Sequence, residues 1–149
     1  MIRWSLILGG TFNFVMGLIF FSNRLLEGFF HFALRAEAAL FSRPGNLVMP
    51  QDPAHLLLIH GFGAAAMILG VTLVWSARDP GRFLPFILID GVGRFFFGTM
   101  MLVYVFRYQL VRMIAVFGVV ELAFALLYVS ISYILLSSNN PKSPRGQKS

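Results

Sequence analysis

Asp90 and Arg94 stand four residues apart in the stretch ILIDGVGRFFFG, inside an apolar run long enough to cross a bilayer. An acid and a base at that spacing share a helix face. A charge near the bilayer centre costs about 2.5–3.5 kcal/mol, so each needs a partner, a wet cavity or a task. Glu121 is a third charge inside a second apolar run, and Asn13 and His60 are polar residues within two others. Two chemistries fit this set. In one, Arg94 is held by Asp90 and Glu121 in a structural ion-pair network. In the other, Glu121 or Asp90 accepts a proton or anchors a ligand, Arg94 binds an anionic or carbonyl group, and His60 relays protons.

The residues that must be positioned belong to a membrane chain. Of 149 residues 58% are hydrophobic and 12% charged, against roughly 25% charged in soluble domains. Seventeen residues are phenylalanine, which makes the apolar surface markedly aromatic. Cysteine is absent, which excludes thiol nucleophiles, disulfides and Cys-ligated metals. The net charge of +6 comes from residues flanking apolar runs. Such charges suit lipid headgroups, and no basic patch on a soluble domain points to nucleic acid.

Four spans are expected at about 4–21, 54–76, 83–106 and 110–136. The first is preceded by Arg3, as a signal peptide would be, but no A-x-A-like cleavage site follows and it reads as a retained helix. Gly10, Asn13 and Gly17 fall on one of its faces, which suits interhelical packing with Asn13 as polar glue. Between the first two spans, about 24–41, Arg24, Glu27, His31 and Arg35 form a polar stripe at spacings of three and four. This is an amphipathic helix for the membrane interface or the end of the bundle. Glu27 and His31 could handle protons, but the spacing suits a solvated stripe better. Glu37 falls among apolar residues, either facing the bundle or marking the helix end.

His55 and His60 are five residues apart, roughly 140° around a helix, which is poor geometry for a shared metal. No H-E-x-x-H pattern occurs, so neither metal nor cofactor is expected. Gly118, Glu121, Ala125 and Ser132 share an inward face of the last span, and Gly91 and Gly98 one of the third. Counting about 1.5 Å per residue puts Arg94 and Glu121 each ~16 Å from opposite faces of the membrane, with Asn13 ~13 Å deep. Asp90 then lies one turn toward one face and His60 nearer the other.

Residues 1–137 therefore read as an all-α integral membrane four-helix bundle with an extra amphipathic helix, and 138–149 as a disordered basic tail. Both termini share one side with Arg3, Arg78, Arg82, Lys142, Arg145 and Lys148, a slight excess that favours the cytoplasm.

His60-Gly61-Phe62-Gly63, the Arg78-Asp79-Pro80 turn, Asp90-Gly91-Val92-Gly93-Arg94 and the lone Glu121 resemble small bacterial BphX-like and DoxX-like membrane proteins. The resemblance covers residues 1 to about 137. It implies a four-helix bundle in the bacterial inner membrane, in families largely without a defined activity. Some members are associated with aromatic-compound catabolism or redox partner complexes.

Three functions compete. The first is a non-enzymatic module for a hydrophobic small molecule or partner complex, with the polar cluster of Asp90, Arg94, Glu121, His60 and Asn13 at its centre. The second is an intramembrane isomerase moving protons between Glu121, His60 and Asp90 on a lipid-like substrate. The third is a transporter, which with four spans requires an oligomer. The expected partners are the lipid bilayer, an apolar small molecule, and a second copy or other membrane protein.

Overall fold

The computed structural model describes residues 2–41 and 46–139. Among these, five helices follow in order: α1 (Ile2–Phe21), α2 (Asn23–Phe41), α3 (Pro53–Ser76), α4 (Leu84–Tyr108) and α5 (Met113–Asn139). Arg43-Pro44-Gly45-Asn46 reads as a turn from its Pro-Gly pair; its first three residues and most of the basic tail lie outside the described residues. The last helix, expected over about 110–136, begins at Met113 and runs to Asn139, into the stretch expected to be a disordered tail.

Local chemistry accounts for the helix ends. Asp52 caps α3 by accepting from the His55 backbone N–H at 2.9 Å, with Pro53 in the first turn. Asp79 Oδ1 accepts from the Arg82 backbone N–H at 3.2 Å in the turn between α3 and α4. Gln109, at φ 53°, ends α4 in the left-handed region. At this corner Asn46 bridges Leu110 in parallel.

The helices pack as two tight antiparallel pairs, α1 with α3 and α4 with α5. The same device builds both. A Cβ on Gly10 would lie 2.7 Å from the Gly70 carbonyl oxygen, and one on Gly17 2.6 Å from that of Gly63. A Cβ on Gly98 would lie 2.7 Å from the Gly118 carbonyl oxygen. Backbones meet directly because no side chain separates them, and the glycine spacing of seven keeps the contact in register along each pair. Although consecutive in sequence, α3 and α4 touch far less than the partners within a pair. The two pairs meet instead through long side chains, among them Phe62 and Phe97, whose ring centroids are 4.9 Å apart.

Helix α2 packs on α1 and α5 at the end of the bundle where α4 stops and α5 starts. It buries Leu26, Ala33 and Glu37 and leaves Glu27 and His31 exposed. Glu37 thus faces the bundle, where its Oε2 accepts from the Met113 backbone N–H at 3.2 Å. That N–H belongs to the first turn of α5 and has no partner within its own helix.

The distribution of polarity is inverted relative to a water-soluble bundle. Asp90, Arg94, Glu121 and Ser132 are buried, while Phe106 (80% exposed), Trp4 (74%) and Leu57 (71%) point outward. Apolar exposure on this scale needs an apolar surrounding. Helices α1, α3, α4 and α5 are each long and apolar enough to cross a membrane.

Candidate functional site

Helix α4 brings Asp90 and Arg94 to the middle of the molecule on one face, as their spacing requires. The Arg94 Nε donates to Asp90 Oδ2 at 2.6 Å. From the facing helix, Glu121 Oε2 accepts from Arg94 Nη1 at 2.7 Å. The third arm crosses to the other helix pair, where Nη2 donates to the Gly9 carbonyl oxygen at 3.0 Å. All three charged residues are buried: Arg94 is 4% exposed, Asp90 5% and Glu121 7%. Asn13 Nδ2 completes the set, donating to Asp90 Oδ1 at 3.2 Å. One guanidinium therefore ties α4 to α5 and reaches α1. Bonds of this kind, with both partners charged, are the strong ones.

Two aromatic rings line the guanidinium. Its carbon lies 4.9 Å from the Phe124 ring centroid and 5.4 Å from that of Tyr128. The Tyr128 hydroxyl donates to the Ser5 carbonyl oxygen at 3.4 Å. A Cβ on Gly9 would collide with that hydroxyl. The glycine thus serves two purposes: it gives Arg94 access to a backbone carbonyl and leaves space for Tyr128.

A cavity of about 270 Å³ lies against this cluster, between the two helix pairs. Asp90, Arg94, Glu121 and Asn13 form its polar wall. The remainder is apolar, with Phe12 and Phe20 from α1, Phe62 and Ala66 from α3, and Phe117 from α5. Phe62 and Leu69 of α3 and Ile89 and Gly93 of α4 line the cavity and are themselves exposed. The cavity therefore opens sideways, at the loosely packed seam between α3 and α4. A Cβ on Gly93 would meet nothing within 4 Å, so the doorway has room to spare. A larger groove, about 740 Å³, runs between α2 and the ends of α4 and α5, bounded by Glu37 and Arg112. It is a surface channel remote from the charge cluster.

His60 is not part of the cluster, contrary to the expectation from sequence. Its Nε2 lies 2.9 Å from Asn23 Oδ1 at the corner of α1 and α2. The reason is depth along α1: antiparallel α3 sets Gly63 against Gly17, which leaves His60 beyond it at Asn23, whereas the cluster bonds Gly9 and Asn13 several turns away. Proton relay through His60 to either carboxylate has no hydrogen-bonded path among the described residues. Glu27 and His31 are 3.8 Å apart on the exposed face of α2, with both side chains about two-thirds exposed. Among the described residues no three His, Asp or Glu side chains converge as a metal ion would require.

Sequence reasoning missed Gly9, Phe124, Tyr128 and Gly93. Tyr128 had a signal, since it lies seven residues beyond Glu121 on the same inward face. The Gly9 carbonyl had none, because a backbone acceptor leaves no mark in residue type.

Fold and burial pattern together define an integral membrane protein. The chain matches no protein-family model, no curated protein and no solved structure.

Proposed function

We propose that this chain is an intramembrane binding module that takes up a small hydrophobic molecule from the bilayer into the cavity between its helix pairs. The observation that carries this reading is the cavity: aromatic walls around one anchored polar cluster, with a lateral doorway. Binding sites commonly pair a predominantly apolar lining with a few convergent polar groups. A cavity of about 150 Å³ accommodates benzene, and this one, at about 270 Å³, has space for a fused ring or a ring with a short chain. Binding also fits the chemistry better than catalysis does. Both carboxylates are engaged by Arg94, and the histidine that proton transfer would use is elsewhere. A transport path would need polar groups toward both faces, and the cavity lining outside the cluster is apolar.

The resemblance to BphX-like and DoxX-like proteins fits this module, and with it a bacterial inner membrane, both termini in the cytoplasm and α2 on the far side. An accessory role beside a partner complex is compatible with the same site.

The test is titration of naphthalene into the full chain in lipid nanodiscs, corrected with protein-free nanodiscs. Saturable binding at one site is expected. Gly93→Leu places a side chain in the doorway and is expected to weaken binding at least tenfold while leaving the thermal midpoint unchanged. Non-saturable partitioning identical to empty nanodiscs would defeat the proposal.

A further inference from the structure

The ligand's polar group follows from the hydrogen bonds the cluster leaves unmade; this inference rests on the binding reading above. Glu121 uses only Oε2 within the protein. Its Oε1 has no hydrogen-bond partner among the described residues, and it is absent from the sealed, unpartnered polar atoms, which comprise Ser132 Oγ alone. Glu121 lines the cavity, so Oε1 is an open carboxylate acceptor on its wall. Both Asp90 oxygens, by contrast, already accept. Arg94 has five N–H donors, and three are committed, to Asp90, Glu121 and Gly9.

Charge selects further. Two carboxylates face one guanidinium. The cluster is therefore either net negative or holding a proton, and in neither state does it offer an unmatched positive charge to an anion. A free ammonium on the ligand would satisfy the count, but it would have to cross the apolar doorway at Ile89 and Gly93, and a charge there is costly. A hydroxyl meets every requirement. It donates to Glu121 Oε1 in the ionised cluster and can accept from the carboxyl in the protonated one, its oxygen can accept from a remaining Arg94 N–H, and it enters neutral.

We infer that the cavity selects a neutral, hydroxyl-bearing apolar molecule, its hydroxyl donating to the free oxygen of Glu121, and that it rejects the matching carboxylate. Selection arises because a site built around a buried acceptor loses more when a ligand leaves it unpaired than it gains from extra apolar contact.

The experiment compares 2-naphthol, 2-methoxynaphthalene and 2-naphthoate by calorimetric titration of the full chain in nanodiscs, each corrected with protein-free nanodiscs. The naphthol is expected to bind at least about tenfold more tightly than the ether, with the naphthoate weakest. In Glu121→Gln, which keeps an acceptor but removes the carboxylate, the preference for naphthol is expected to fall to under about threefold. Equal binding of naphthol and ether, or tightest binding of the naphthoate, overturns the hydroxyl inference while leaving the cavity reading intact. Retention of the full preference in Glu121→Gln overturns the assignment to Glu121. Failure of all three probes to saturate, or binding insensitive to Gly93→Leu, overturns the cavity reading itself and the inference with it.

Discussion

Arg94 Nη1 lies 2.7 Å from Glu121 Oε2, across the interface of two antiparallel helices. The same guanidinium holds Asp90 on its own helix, so the cluster is asymmetric: one base serves two acids. Losing the base should therefore cost far more than losing either acid. Arg94→Ala leaves two buried carboxylates facing each other and is expected to destabilise by about 3–5 kcal/mol. Glu121→Gln leaves a balanced Asp90–Arg94 pair and should cost well under half as much. Unfolding of both variants in mixed micelles measures the difference, and equal losses would contradict the asymmetry.

The glycine contacts make a second, independent prediction. A Cβ on Gly70 would approach the Gly10 carbonyl oxygen to 2.5 Å, whereas one on Gly61 would meet nothing within 4 Å. Gly70→Ala is expected to lower stability by about 1–3 kcal/mol through overpacking. Gly61→Ala, on the same helix, should be neutral or slightly stabilising. The pair of thermal midpoints decides whether α1 and α3 are held by direct backbone contact.

Glu37 tests how α2 is attached. Its carboxylate accepts from the first backbone N–H of α5, a helix end that favours negative charge. Glu37→Ala should cost about 1.5–3 kcal/mol and speed amide exchange at Met113. Glu37→Gln keeps an acceptor and should recover most of the loss.

His60 separates binding from proton relay. His60→Ala removes the contact with Asn23 and is expected to loosen the α1–α2 corner while leaving naphthalene affinity within about twofold of wild type, as expected for a site with no shared partners. A tenfold loss of affinity would return His60 to the site.

Asp52 gives a pH dependence. Chiefly the His55 backbone N–H, with the His55 ring beside it, holds this exposed carboxyl below its ordinary value. The folded state therefore binds the proton less readily than the unfolded one. The stabilisation is present above the unfolded value and is lost as pH falls through the lowered folded value. Asp52→Asn should keep the cap at neutral pH and flatten the acid limb of the thermal midpoint between about pH 5 and 2.

Much of this architecture could be read from the sequence because charges punctuate the apolar runs. The spans expected from 54 and 83 begin within a residue of α3 and α4, where Asp52-Pro53 and Asp79-Pro80-Gly81 break the pattern. Counting depth brought Arg94 and Glu121 to one level, and the structure pairs them. Rotation and pairing were less legible. Residue type alone groups His60 with the acids, but the antiparallel pairing of α1 and α3 sets it at Asn23, several turns along α1 from Asn13 and Gly9. The preference of α1 for α3, and the gap this leaves beside α4, depends on backbone proximity at glycines on distant segments, which no single segment displays. The 270 Å³ void is a property of what surrounds it and belongs to no residue.

The sideways doorway at Gly93 changes what affinity means for this protein. A ligand entering from lipid exchanges one apolar solvent for another, since acyl chains are as apolar as leucine. Desolvation of its carbon skeleton, which drives uptake from water, then supplies almost nothing. Discrimination rests on the few polar atoms around Arg94, and the bilayer itself becomes the competing reservoir. Occupancy should therefore track the ligand's mole fraction in the membrane, with its aqueous concentration mattering only through partitioning.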